Sequence, residues 1–364
     1  MDMVIAQSKK FKHDNFSVYR YKAAPAQNYQ FTMGRLYELN EQATRKFGFT
    51  TALSYRNSQE IEQISDMYRG RFYHSLQKID SLNLDNRATN YKFNSNWGAI
   101  FNAGLQLDGH RISSRNTFTQ TYNTNFYRII GYDINIAGND INVIPPEIEE
   151  ADRPVFTSLR QHKIAGEHQL NPITLDWDIA LSSIKRMEKD ISTALLVPKK
   201  IDDDYHYFYG ASINASEPRV RPMSRQSYEN AEQHYSWSLT ATLPFSFNKQ
   251  KNSLKMGYFG QRKKGDFSWI QASLFANSIN NPGILYLPVH ELSNPENMGV
   301  DGLQYRIGSM NSDQFEGKNK LDAFYAMMDN RLTEKLRLVW GIRAEKFNYT
   351  ELKTPPRSLI IPVQ

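Results

Sequence analysis

The sequence predicts an all-β chain: an antiparallel up-and-down transmembrane β-barrel of about ten strands. Three observations predict it. Apolar and polar residues alternate with period two in one segment after another, short and long connections alternate between those segments, and the composition is polar on average yet rich in aromatic rings.

Composition narrows the class. The chain has 364 residues, 44 Lys+Arg against 38 Asp+Glu (net +6), no cysteine and 40% apolar residues. A mean hydropathy of -0.62 excludes a bundle of transmembrane helices, each of which needs ~20 consecutive apolar residues. The longest apolar runs, such as Ala194-Leu195-Leu196-Val197, end after a few residues. A polar average leaves room for a membrane β-barrel, because every second residue of such a strand faces a wet lumen. The absence of cysteine removes disulfide frameworks, Cys-ligated metals and thiol nucleophiles. Tyr 21, Phe 20 and Trp 5 make 13% of the chain, as expected of the interface girdles of a membrane barrel or of an aromatic-rich soluble core.

The first 27 residues read as a segment leading into the sheet. Their apolar stretch, Met3 to Ala6, is followed by Lys9, Lys10 and Lys12, which does not make a secretion signal. The expectation is that the sequence begins inside a longer chain.

From 28 to 351 the alternation is the dominant signal. Phe47, Phe49, Leu53 and Tyr55 alternate with small or polar neighbours, as do Tyr91, Phe93, Trp97, Phe101, Leu105 and Leu107. The same holds for Ile173 to Leu181, for Tyr235 to Phe247 and for Leu336 to Ile342. Weaker segments lie at about 28–39, 110–130, 154–170 and 252–276, and the stretch at 319–332 is apolar on both faces near Phe324 to Met328. Successive side chains of a strand point to opposite faces, so each segment has one apolar and one polar face.

The connections carry equal weight. Asn40 to Lys46, Asp108-Gly109, Asn171-Pro172, Asn248 to Asn252 and Thr333-Glu334 are turn-like, and Asp-Gly is a strong hairpin signal. Between them lie polar stretches at about 57–88, 132–153, 187–230 and 277–318. In an antiparallel meander, alternate connections fall at opposite ends. All short turns then gather at one end and all long loops at the other, as in an outer-membrane barrel. A soluble sandwich rarely needs four such loops at one end.

On these segments the chain resembles the barrel domain of TonB-dependent outer-membrane receptors. The resemblance rests on Lys46-Phe47-Gly48-Phe49 leading to Leu53-Ser54-Tyr55, and on Gly166-Glu167-His168 before Leu175-Asp176-Trp177. It continues in Leu254-Lys255-Met256-Gly257 with Arg262-Lys263-Lys264, and in the hairpin from Ala323-Phe324-Tyr325 to Gly341-Ile342-Arg343-Ala344-Glu345. It implies an outer-membrane location in a Gram-negative bacterium. Ligand would bind at extracellular loops, and import would be driven by the TonB complex acting on a plug domain. The plug, the signal peptide and the remaining barrel strands are not recognisable here, and 352–364 reads as a truncated C-terminal segment, so the resemblance implies an open partial barrel of a larger one. The implied partners are outer-membrane lipid, the plug and remaining strands, TonB and a small-molecule, siderophore, glycan or peptide ligand. The alternatives are a passive porin and a barrel enzyme of lipase or protease type.

Chemistry-bearing residues are few. Asp176 and Asp178 share one face of a strand and project toward the lumen with Arg337 and Arg343. A carboxylate pair could serve acid–base chemistry or a cation, whereas a hydrated wall tolerates such charges without any task. Arg337, Arg343 and Lys255 would suit an anionic ligand or an acidic plug surface. His162 and His168 are six residues apart, ~20 Å along a strand, and cannot share one metal. Asp202-Asp203-Asp204 lacks the ligand spacing of a calcium loop. Tyr205, Tyr207 and Tyr209 in the 187–230 loop offer rings that can stack on a flat or sugar ligand, or pack loop against loop. No zinc-protease, phosphate-loop, nucleophile-elbow or dinucleotide motif is present. The expectation is therefore no enzyme, no cofactor, no metal and no nucleic-acid partner.

Overall fold

The computed structural model describes residues 2–11, 22–69, 72–75, 88–133, 146–209, 223–247, 250–276, 283–284, 287, 289–308, 314–333 and 335–352. The C-terminal segment from 353 on lies outside them. The chain is all-β, and ten strands form one open antiparallel meander. In chain order with their side pieces they are β1 (Gln27–Glu38), β2 (Lys46–Ile64), β3 (Asp66–Arg69), β4 (Phe72–Ser75), β5 (Ala88–Leu107), β6 (His110–Asp133) and β7 (Glu147–Leu170). Then follow β8 (Ile173–Ile201), β9 (Asp204–Tyr209), β10 (Ser224–Phe247), β11 (Gln250–Ala276), β12 (Leu303–Gly308), β13 (Gln314–Arg331) and β14 (Arg337–Leu352). The sheet order is β1-β2-β5-β6-β7-β8-β10-β11-β13-β14, so strands adjacent in this path are also successive long strands of the chain.

The register carries the alternation across the whole sheet. Tyr55 sits opposite Trp97, Trp177 opposite Leu239, and Met328 opposite Trp340. Residues opposite one another in an antiparallel pair share a face. Followed strand by strand, Phe49, Leu53, Trp97, Phe101, Leu175, Trp177, Leu239, Leu338 and Trp340 all fall on one face, as the alternation predicts. That face is not folded into a core: Trp97 is 57% exposed, Leu239 48% and Trp340 54%.

The strands run further than the alternation indicates. Segments expected as connections at 57–88, 132–153, 187–230 and 277–318 contain the end of β2 with β3 and β4, the start of β7, the end of β8 with β9, and β12 with a helical turn at Val289–Leu292. The extensions carry polar or charged residues on both faces, as in Lys185-Arg186-Met187-Glu188-Lys189, so period-two contrast fades while the backbone ladder continues. Residues 2–8, within the expected lead-in segment, form helix α1 (Asp2–Ser8).

Burial is concentrated at the loop end, on both faces; lower in the sheet Thr240, Asn252 and Ala323 are also buried. On the apolar face α1 packs on β12, with Phe11, Met223, Leu274, Leu303 and Tyr305 in one cluster. The backbone N–H of Tyr305 donates to Ser8 Oγ at 2.9 Å. On the opposite face Ala88, Tyr127, Ile129 and Ala151 form a second cluster.

At the short-turn end two turns are tied together. Gly109 takes the left-handed backbone (φ 79°) that the Asp108-Gly109 turn requires. Asp108 accepts from Arg45 Nε at 2.6 Å and from Thr44 Oγ1 at 2.9 Å. The Arg45 guanidinium and the Thr44 hydroxyl hold the Asp108 carboxyl below its ordinary value. A depressed carboxylate contributes its clamp above the unfolded pKa and loses it as pH falls through the folded one. Amide exchange of Ala43 to Lys46 is therefore expected to stay slow through the ordinary carboxylate range and to quicken only below it. In Asp108→Asn it should be fast throughout, and equal acid sensitivity in wild type and variant would refute the clamp.

Candidate functional site

The polar face is a wall of paired charges. Asp178 is bound by Lys163 at 3.2 Å and accepts a hydrogen bond from the Ser238 hydroxyl. Nearby on the same face are Arg111 with Glu167 (2.6 Å) and Lys263 with Glu232 (2.7 Å). Glu232 also meets His234 at 3.1 Å. Arg337 is paired with Asp329 and Arg343 with Glu345. Asp176, Asp178, Arg337 and Arg343 all project from this face, but the structure does not bring them together. The aspartates are on β8 and the arginines on β14, four strand spacings away, or about 19 Å at ~4.8 Å each. Each of Asp178, Arg337 and Arg343 is occupied by a local partner.

The tyrosines expected in a loop are on a strand. Tyr205, Tyr207 and Tyr209 belong to β9, which pairs with Leu196–Ile201 of β8. Tyr205 is exposed, whereas the Tyr207 hydroxyl donates to the Pro146 carbonyl at 2.9 Å. Burial pushes the Tyr207 phenol up. Tyr207 thus anchors the β9 hairpin to the start of β7. The Asp202-Asp203-Asp204 run forms the β8–β9 turn, with Asp202 at φ 53°. Among the described residues, no group of three His, Asp or Glu is placed to hold a metal ion.

Two clusters escaped the sequence reading. His110 and His168 are directly opposite on β6 and β7, with Nδ1 atoms 3.1 Å apart. Trp177 Nε1 donates to His168 Nε2 at 2.9 Å, so a neutral His168 carries its proton on Nδ1 and donates it to His110. The Trp177 ring lies over Gly166, where an added Cβ would stand 2.4 Å from the indole nitrogen. His168 was visible in the sequence, but its partner is fixed only by the register. At the loop end Arg225, 4% exposed, donates to Asp190 through Nε at 2.6 Å and lies 5.0 Å from the centre of the Phe11 ring. Asp190 sits at a bulge with φ 59°. Burial raises the phenol of Tyr305 beside this pair. Its residues come from three distant segments, and nothing local marks them.

The fold and the wall define a class: an open antiparallel sheet of barrel type with one apolar and one polar face. No protein-family model matches this chain, nor does any curated protein. Among solved structures it is similar to the siderophore receptor PiuA from Acinetobacter baumannii, at 9% identity over 92% of this chain and 64% of that one, with a TM-score of 0.19. The chain thus spans 64% of that receptor's length. At that score the fold assignment rests on strand order and register alone.

Lys163 and Asp178 are expected to couple weakly, since both are partly solvated. A double-mutant cycle with Lys163→Met and Asp178→Ala should give an interaction energy of about 0.5–1 kcal/mol in denaturant unfolding. A coupling of zero would show the wall to be a set of independent surface charges.

Proposed function

We propose that this chain is barrel wall of an outer-membrane receptor. Its apolar face meets lipid, its polar face lines a wet lumen, and its long-connection end faces outward to bind ligand. In this reading it acts within a TonB-dependent importer, beside a plug and further strands, and carries no covalent chemistry. The observation that supports it most is the apolar face of half-exposed Trp, Phe, Leu, Ile and Met, carried by all ten strands and interrupted on β6 and β7 by Asn116, Arg160 and His162. In water such a face would be an aggregation surface far above a few hundred Å². In lipid it is the favoured side of the strand, and the charged face behind it stays hydrated. No helix among the described residues is long and apolar enough to cross a membrane, which bears on helical spans only.

The absence of cysteine makes the topology directly testable. A cysteine at Asp203, on the long-connection side, is expected to react with a membrane-impermeant maleimide on intact Gram-negative cells. A cysteine at Lys335, at the short-turn end, should react only after the outer membrane is opened. The reverse pattern, or equal labelling, would sink the orientation. Energised import requires that ligand uptake by the full receptor stop when the proton gradient is collapsed; uptake that persists would favour a passive pore.

Face assignment makes a second prediction. Ile179→Arg places a charge in the lipid and should cost about 2–4 kcal/mol of folding into vesicles. Ser182→Arg, three residues on and on the polar face, should be tolerated. Equal effects in the two variants would count against the membrane reading.

A further inference from the structure

The apolar face changes character along β11, β13 and β14. From the short-turn end it is apolar through the rungs Ala241–Met256–Ala326–Ile342 and Leu239–Tyr258–Phe324–Ala344. One rung further are Asp322 and Lys346, and the next two rungs set like charges directly opposite each other: Arg262 faces Lys320, and Lys264 faces Lys318. Like charges across a rung oppose pairing, so their presence on three neighbouring strands calls for an anion. Five cations (Arg262, Lys264, Lys318, Lys320, Lys346) stand here against three carboxylates, Asp266, Glu316 and Asp322.

The carboxylates do not reach all five. Asp322 binds Arg262 at 2.9 Å, and Glu316 is shared by Lys264 at 3.2 Å and Lys318 at 3.1 Å. Lys320 and Lys346 are exposed and make no ion pair among the described residues. Just on the short-turn side lies a shallow apolar depression of about 510 Å³, lined by Leu239, Met256, Phe324, Ala326, Ile342 and Ala344. Alanines at 326 and 344 leave that room. From Arg262 to Tyr258, at its upper edge, is four residues, or about 13 Å of strand.

A groove for hydrocarbon with a cation cluster at its rim matches one kind of molecule. We propose that this patch binds a phosphorylated lipid of the outward leaflet, with the phosphate held by Lys318, Lys320 and Lys346 and an acyl chain lying in the depression. The proposal rests on the membrane reading above. Arg262 is fixed by Asp322 and lies 5.1 Å from the centre of the Trp237 ring, so it forms the rigid floor of the site. Lys320 and Lys346 supply mobile, rotatable donors around it, and Lys318, shared with Glu316, completes the ring.

The test uses the full receptor of the reading above, with this chain inside its closed barrel, refolded into phosphatidylcholine vesicles with and without a minor fraction of phosphatidic acid. Lipid that stays with the protein after mild detergent extraction is measured by mass spectrometry. Phosphatidic acid should be enriched over phosphatidylcholine on the wild-type chain. The enrichment should fall about tenfold in K318Q/K320Q/K346Q, since each basic residue near a charged headgroup contributes appreciably. It should survive in K318R/K320R/K346R and in R115Q/K251Q/R331Q, which removes the same charge from the polar face. Unchanged enrichment in the glutamine variant, or equal loss in the polar-face variant, overturns the site while leaving the membrane reading intact. Release of the retained lipid by inorganic phosphate would assign the cluster to a free anion and overturn the lipid. Failure of every variant and the wild type to enter either vesicle overturns the membrane reading, and the proposal with it.

Discussion

The structure depends on the pleat staying in register. A slip of one residue between two strands would send every side chain of one of them to the other face. Here, between Lys46 and Leu352, the face holding Trp97, Trp177, Leu239 and Trp340 is carried through eight strand pairings. The two register shifts, at Asp152/Phe156 and Gln226/Tyr228, fall on the loop side of these residues. The lower sheet is therefore free of bulges exactly where a mismatch would put a charge on the apolar face or a tryptophan on the polar one.

That distribution explains why the fold was legible. Between the turns and the middle of each strand the two faces meet different solvents, and the residues must differ: Ile173, Leu175, Trp177 and Ile179 on one side, Thr174, Asp176 and Asp178 on the other. Beyond the middle both faces become polar or protein-covered, and the sequence loses its period. The end of β8, all of β9 and β12, and the start of β10 were invisible for that reason. The site residues divide the same way. The side on which Asp178 and Arg337 project follows from parity alone. Their partners Lys163 and Asp329 follow from register, which one chain's periodicity does not specify.

Charge is handled differently on the two faces. On the polar face acids and bases alternate between neighbouring strands, so Lys163 finds Asp178, Arg111 finds Glu167 and Lys263 finds Glu232. Each pair is partly hydrated and contributes little to stability. On the apolar face the charges form a belt above the apolar band, and cations outnumber acids on β11, β13 and β14. The net charge of +6 is thus unevenly placed over the sheet. An account from net charge alone would miss the cation excess of that belt.

The two edges set the remaining constraint. All twelve residues of β1 and residues 337–351 of β14 are exposed, and neither strand has a second neighbour among the described residues. In hydrocarbon each unpaired backbone group costs several kcal/mol, so an open edge is not a stable state there. The meander fixes how the edges are closed. β1 ends at the short turn before β2, whereas β14 begins at the short turn after β13, so the two run in opposite directions. They can pair with each other as an antiparallel ladder. If further antiparallel strands lie between them, the number of those strands must be even, or one junction becomes parallel and needs a crossover. On the membrane reading proposed above, a barrel that closes around these ten strands by antiparallel pairing is therefore even-stranded, whatever its size.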